Sequence, residues 1–192
     1  MKIIIGKKGL DIDTFEQVVL LKKEVEIAEE AKLRVQSSYQ FLKEFSSKKV
    51  IYGINTGFGP MAQYRINDDD LKQLQYNLIR SHAAGSGRIL DDIYIRATML
   101  TRLNTLLLGY SGIHLEVVEQ LTAFLNHEIY PIIPEHGGVG ASGDLVQLSH
   151  LALGLIGEGE ATYQGERQKM SDVLNKAGLK PINIHIREGL GL

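Results

Sequence analysis

The sequence predicts a mainly α-helical fold with a few short strands. Apolar residues recur at the spacing of one helix face through most of the 192-residue chain, whereas β-prone runs are short. Hydrophobic residues make up 44% of the chain and charged residues 23%, the balance of an ordinary globular protein. We expect one helical domain over residues 1–192 that is a piece of a longer chain, because its apolar helices need more mass to cover them.

The N-terminal part is expected to contain one short strand and two helices. Residues 2–5 are β-prone, and Asp13 or Thr14 can cap a first helix. Apolar residues at helical spacing then predict a longer helix over 24–45, and the polar residues 46–49 predict a loop.

Helices also dominate the centre of the chain. The apolar spacing predicts helices over 67–82, 91–109 and 115–126. The following segment, 130–136, contains two prolines and is not expected to be a buried strand, because proline cannot donate to a sheet ladder.

The C-terminal part mixes helices with short extended segments. An apolar helix over 144–156 is expected to be deeply buried along one face. A hairpin over 161–168 and a short helix over 171–176 follow, and 181–186 resembles a strand.

The glycine-rich segment 137–145 leaves almost no side chain to pack, so its backbone must bend unusually or react. If this loop brings Ala141 and Gly143 together, the Gly143 nitrogen can attack the Ala141 carbonyl and close a five-membered ring. Loss of the Ser142 hydroxyl as water then leaves an exocyclic methylidene, which is an electrophile. The N–H groups of the following helix favour developing negative charge there.

The same segment also spells GVGASG, the glycine pattern of a dinucleotide-binding turn, with Glu160 near the place of a ribose-binding acid. That turn requires a buried strand leading into its first glycine. Because the prolines of 130–136 argue against such a strand, we expect no nucleotide cofactor.

Two further loops hold candidate site residues. Residues 53–60 are rich in glycine and form an ordered or lid-like loop, and Tyr52 precedes them. Tyr52 is either a core phenol with one hydrogen bond or an acid–base group. His82, at the end of a predicted helix, is either a structural histidine or a ligand contact. The residues alone leave both alternatives open.

Composition narrows the possible partners and cofactors. A net charge of −2 gives no electrostatic case for nucleic acid or an anionic membrane. The sequence has no cysteine, which excludes disulfides and thiolate metal sites and fits a reducing compartment. No signal-like or membrane-spanning apolar run is present. We expect a soluble, cytoplasmic protein with no metal, nucleic-acid or membrane partner.

Three motifs occur together in order: YGINTGFG at 52–59, SHAAG at 81–85 and GASGDL at 140–145. Together they resemble the aromatic amino acid ammonia-lyases, which act on histidine, tyrosine or phenylalanine, and the related aminomutases. The resemblance runs from about residue 10 to the end of the chain. It implies the helical, fumarase/aspartase-like ammonia-lyase fold and a homotetramer whose active sites combine several subunits.

The resemblance also implies that Ala141, Ser142 and Gly143 cyclise autocatalytically to 4-methylideneimidazole-5-one (MIO).

Four further positions match the family. Tyr52 would be the essential acid–base group that removes the β-proton, and His82 would face the ring of the substrate. Gly59 and Leu145 match positions near the substrate.

The substrate is less sharply indicated. A Ser-His pair at 81–82 is typical of histidine ammonia-lyases, whereas phenylalanine lyases carry an apolar pair. Residues 59–64 and 145–149 instead resemble a bacterial subgroup that includes tyrosine-specific enzymes. We expect L-histidine or L-tyrosine as substrate, with phenylalanine lyase or aminomutase activity as alternatives. A non-enzymatic helical interaction module would keep residues 141–143 uncyclised. The family continues beyond residue 192, so this chain alone is expected to be inactive.

Overall fold

The structure, a computed structural model, describes residues 2–47, 49–138 and 145–192. Helices dominate this part of the chain: α1 (Ile12–Val19), α2 (Glu29–Ser46), α3 (Asp68–His82), α4 (Asp92–Leu106), α5 (Leu115–His127), α6 (Leu145–Leu155), α7 (Met170–Ala177) and α8 (Glu188–Gly191). The prediction of a mainly α fold is confirmed. In the described ranges, no helix is both long and apolar enough to cross a membrane.

The strands are short and form three small sheets. They are β1 (Ile3–Ile5), β2 (Val25–Ile27), β3 (Ser86–Ile89), β4 (Tyr130–Pro131), β5 (Pro134–His136), β6 (Glu160–Tyr163) and β7 (Glu166–Lys169). Strands β1 and β2 pair in parallel, β3 and β5 pair antiparallel, and β4, β6 and β7 form an antiparallel sheet in that order. The predicted hairpin is therefore present as β6 and β7.

The core is centred on α4 and α5, which pack against each other. Their inward side chains are fully buried: Ile95, Met99, Leu100, Leu103, Leu106, Val117, Val118, Leu121, Phe124 and Leu125. Burial of this much aliphatic surface supplies the main driving force for folding.

A buried cation ties this core to the N-terminal elements. Arg96, on α4, is only 1% exposed. Its Nε donates to the Val18 carbonyl at 2.6 Å, Nη1 to the Leu125 carbonyl at 2.6 Å, and Nη2 to the Lys23 carbonyl at 3.3 Å. Arg96 therefore satisfies carbonyls at the ends of α1 and α5 that would otherwise lack intrahelical partners.

The N-terminal boundaries differ from the prediction. The side chain of Asp11, rather than Asp13 or Thr14, caps α1 by accepting from the Thr14 amide at 2.9 Å. The predicted start of the second helix is wrong, because 25–27 is a strand with Val25 and Ile27 buried on one face. The three residues alternate between buried and exposed positions as a strand does, and pairing with β1 stabilises them in that form.

Two segments in the last third of the chain also differ from the prediction. Strands occupy 130–131 and 134–136 despite their prolines, because both are short strands in small antiparallel sheets, where a missing donor is tolerated. Conversely, 181–186 forms no strand. Its amides at His185 and Ile186 donate to the Glu188 carboxylate, at 2.7 and 3.0 Å, instead of to a ladder.

Helix α6 packs against α3 and is linked to the chain that follows α3. The Nε2 atom of His150, on α6, accepts a hydrogen bond from the Gly85 amide at 3.1 Å. Burial lowers the pKa of His150 below its usual 6.5. Residues 151, 152 and 155 of α6 are buried, but Leu145 is 46% exposed, so the predicted burial holds only for the later turns.

We predict that Arg96→Met lowers the free energy of unfolding by roughly 2–5 kcal/mol, because three carbonyls, two of them in buried contacts, lose their donor. Chemical denaturation followed by circular dichroism measures the change. Arg167→Met is the matched control, since Arg167 is an exposed partner of Glu160 and should change stability by less than about 1 kcal/mol. Equal effects of the two substitutions would contradict the assigned role of Arg96.

We also predict that stability falls as the pH drops below about 6.5. The pKa of His150 is lower in the folded chain than in the unfolded chain, so the unfolded chain takes up the proton first. The stability that the neutral His150 contributes is therefore present above the pKa of the unfolded chain. It is lost as the pH falls towards the lower pKa of the folded chain. His150→Gln, whose amide oxygen can still accept from Gly85, should flatten the dependence measured by denaturation between about pH 8 and pH 5. An unchanged slope would show that other groups cause it.

Candidate active site

A cavity of about 460 Å³ lies between the loop over 52–59, the end of α3, helix α6 and the C-terminal residues 189–192. The predicted residues Tyr52, Gly59, His82 and Leu145 all line it. Its other lining residues are Phe58, Leu78, Arg102, Leu148, Ser149, Ala152, Gly189, Leu190 and Leu192. The structure thus brings together site residues that are far apart in sequence. Ala141, Ser142 and Gly143 lie outside the described residues.

The loop that carries Tyr52 is held by a buried asparagine. The Asn55 amide nitrogen donates to the carbonyls of Ser46, at 3.1 Å, and Lys49, at 2.6 Å. Its oxygen accepts from the Ile51 amide at 2.7 Å. Asn55 therefore satisfies the end of α2 and fixes the turn that contains Tyr52.

A buried glutamine joins this loop to two helices. Gln75, on α3, is fully buried. Its Nε2 donates to the Gly53 carbonyl at 2.9 Å, and its Oε1 accepts from the Leu190 amide, on α8, at 3.1 Å. Gly53 has φ +69°, and a Cβ there would lie 2.7 Å from side-chain atoms of Phe58 and Leu190. Only glycine fits this close approach.

The Tyr52 side chain is about half exposed, at 54%, and lines the cavity. Its phenolic oxygen accepts a hydrogen bond from the Gly59 amide at 3.2 Å. The Phe58 ring packs edge-on against it, with centroids 5.9 Å apart. Because the oxygen accepts in this bond, its own proton remains available for another partner. Tyr52 is thus oriented without being buried.

His82 is oriented by the backbone of its own helix. Its Nδ1 lies 2.9 Å from the Leu78 carbonyl and 3.1 Å from the Ser81 hydroxyl. A carbonyl can only accept, so we assign the proton to Nδ1 in this contact. In the neutral ring, Nε2 is then a hydrogen-bond acceptor. The end of α3 therefore presents an oriented imidazole on the cavity wall.

Helix α6 supplies the opposite wall and begins directly after the glycine-rich segment. Leu145, Leu148, Ser149 and Ala152 line the cavity from one face of its first two turns. The Val146 side chain packs closely against Gly137, because a Cβ added at Gly137 would lie 2.4 Å from Val146 Cγ1. The Gln147 amide also donates to the Glu135 carbonyl at 3.3 Å. The two ends of the segment are thus held together beside the cavity.

Sequence reasoning missed two polar residues that shape the cavity, Gln75 and Arg102. The Arg102 Nη2 donates to the Gly191 carbonyl at 2.6 Å, which holds the end of α8, and burial lowers the pKa of its guanidinium. A charged residue within a helix that otherwise carries few charges was the available signal for Arg102. No comparable signal marked Gln75 among the polar residues of α3.

Comparison with known proteins identifies the family of the chain. The family described as aromatic amino acid lyase matches residues 10–192. A histidine ammonia-lyase of Legionella pneumophila (strain Paris) is 44% identical over 184 residues, which are 95% of this chain and 36% of that protein. The chain therefore spans little more than a third of the length of this relative.

Two solved enzyme structures share the fold of this chain. The ergothioneine-degrading enzyme ergothionase of Treponema denticola superposes with a TM-score of 0.94 at 32% identity, over 100% of this chain and 38% of that one. Tyrosine aminomutase of Streptomyces globisporus superposes with a TM-score of 0.90 at 33% identity, over 100% and 36%. With the family match extending over nearly the whole sequence, this chain belongs to the aromatic amino acid lyase family.

Proposed function

We propose that the protein is an MIO-dependent ammonia-lyase that eliminates ammonia from L-histidine, with L-tyrosine as the second candidate substrate. One observation carries the proposal: Tyr52, Gly59, His82 and Leu145 line a single cavity. A helical module kept only for binding would not need this convergence. We include in the proposal the homotetramer that the resemblance implies and the cytoplasmic location that the composition favours.

The reaction requires an electrophile, because an amine is a poor leaving group. MIO, formed from Ala141, Ser142 and Gly143, supplies the electrophilic carbon that improves the amine as a leaving group. The described residues fit this group. The segments on both sides of the tripeptide are linked by the Gln147–Glu135 hydrogen bond and packed closely at Gly137 and Val146, and the helix that follows lines the cavity. Because the two flanking segments lie close together, they favour the tight turn of the backbone that ring closure needs.

The role of Tyr52 in the proposal is to take the β-proton, for which its side chain must be in the phenolate form. Tyr52 lines the cavity, its oxygen is held by the Gly59 amide, and the half-exposed side chain leaves room for a substrate. A general base must lie within hydrogen-bond reach of the proton that it removes. The loop bonds made by Asn55 and Gln75 fix the position of Tyr52 and so reduce the motion that would move it out of reach.

The role of His82 is to contact the substrate ring. With the Nδ1 proton engaged by Leu78, Nε2 can accept from an imidazole N–H or a phenol O–H, whereas a phenyl ring offers neither. This supports histidine or tyrosine over phenylalanine. Histidine is placed first because the relative at 44% identity is a histidine ammonia-lyase, whereas the tyrosine aminomutase is 33% identical.

We predict that Tyr52→Phe lowers kcat for deamination by about 100-fold or more without removing the ultraviolet absorbance of MIO. The test uses the complete protein with L-histidine, L-tyrosine and L-phenylalanine, and follows the unsaturated product by absorbance. Tyr94→Phe is the control, because Tyr94 is similarly exposed, at 58%, and does not line the cavity. Full activity of Tyr52→Phe would remove Tyr52 from the mechanism. Turnover of L-phenylalanine at the rate of the other two would overturn the assigned role of His82.

We predict that Gly137→Ala prevents or strongly reduces MIO formation, because a Cβ at that position would overlap Val146. Accurate mass of the proteolytic peptide spanning residues 141–143 is the measurement. Wild type should show the loss of two water molecules, and Gly137→Ala the unmodified mass. Gly9→Ala is the control, since no atom lies within 4 Å of its added Cβ. An unmodified wild-type peptide would instead support the non-enzymatic module.

A further inference from the structure

A second cluster of chemically reactive side chains lies apart from the cavity. His114 precedes α5, Glu116 is in its first turn, and His185 comes from the extended segment before α8. The His185 Nε2 lies 3.2 Å and the His114 Nδ1 3.6 Å from the Glu116 Oε2. One ligand atom from each residue lies within 4.8 Å of the other two. None of the three lines the candidate active site.

The backbone under both histidines is fixed by one buried carboxylate. Glu188 is fully buried. Its Oε1 accepts from the His114 amide at 2.9 Å, and its Oε2 accepts from the His185 amide at 2.7 Å. Residues 69 or more positions apart in sequence are therefore held together before any ligand binds. This arrangement lowers the ordering cost of a shared ligand.

The two imidazole rings are also held in place by packing. Their centroids are 4.0 Å apart with the rings tilted by 37°, and the Tyr39 ring packs edge-on at 5.0 Å from His114 and 6.1 Å from His185. An imidazole binds a metal ion through the lone pair of an unprotonated ring nitrogen.

We propose that His114, Glu116 and His185 bind one divalent transition-metal ion, of which Zn²⁺ is the representative. Two imidazoles and a carboxylate suit Zn²⁺, and water completes its coordination in such three-ligand sites. Ligand atoms about 2.0–2.1 Å from a tetrahedral ion lie about 3.3 Å from one another. The separations of 3.2 and 3.6 Å to the Glu116 oxygen are close to this value.

Binding requires little rearrangement of the cluster. The Nδ1 atom of His114 accepts only a long hydrogen bond, 3.4 Å, from the Glu116 amide. Metal binding replaces this bond and the His185–Glu116 hydrogen bond, whose Nε2 proton is released to water, and it leaves the Glu188 contacts intact. The three side chains are each partly exposed, between 26% and 39%, so an ion and water can reach them. The bound ion would clamp the extended segment 181–187 to the start of α5.

The test is titration of the chelator-treated protein with Zn²⁺ by calorimetry, with Co²⁺ absorption in the visible as a report of coordination. Wild type should bind one ion and gain thermal stability from it. His185→Ala and Glu116→Gln should each weaken binding at least about tenfold. His127→Ala, at the other end of α5, is the control and should bind like wild type.

Two results would overturn the proposal. One is the absence of saturable Zn²⁺ binding to wild type, and the other is equal affinity of His185→Ala and His127→Ala. Circular dichroism of each variant shows whether it has folded, and Glu116→Gln keeps an oxygen that can accept from the Asn183 amide if the alanine variant does not fold. His82→Ala should retain the Co²⁺ spectrum, which separates this site from the cavity. The outcome is independent of the proposed lyase activity.

Discussion

The candidate site depends on one buried amide, that of Gln75. Its nitrogen and oxygen bond the backbone of the Tyr52 loop and of α8 at the same time. Because Gln75 and His82 are both on α3, this one side chain sets the position of the loop, the helix and the C-terminal wall relative to one another. A buried amide left unpaired is costly, so the three segments are stable only when they meet.

The other elements around the cavity are also positioned by specific polar contacts. Asn55 shapes the loop behind Tyr52, and His150 links α6 to the chain just beyond His82. These bonds are made to backbone atoms, so they position elements rather than single side chains. Such rigid support is what acid–base chemistry at a loop residue requires. The buried Glu188 carboxylate performs the same task for the separate His114 and His185 pair.

Regular helices were predictable where a long apolar pattern repeated, as over 67–82 and 115–126. Short elements were not. Strand β2 fits both a period of two and a helical period over three residues, and only pairing with β1 decides between them. The extended 181–186 failed to become a strand because a side chain, Glu188, took the amides that a ladder would use. Local pattern carries no information about such a distant or side-chain partner.

The sequence by itself determined the family and the identity of the candidate residues, because the motifs at 52–59, 81–85 and 140–145 each preserve a distinctive local chemistry. Tertiary structure alone decided that Tyr52 and His82 share a cavity, and that Gln75 holds its walls together. It also placed His185 beside Glu116, 69 residues away. The physical reason is that local sequence sets backbone preference and side-chain chemistry, whereas proximity between distant segments arises only when the whole core packs.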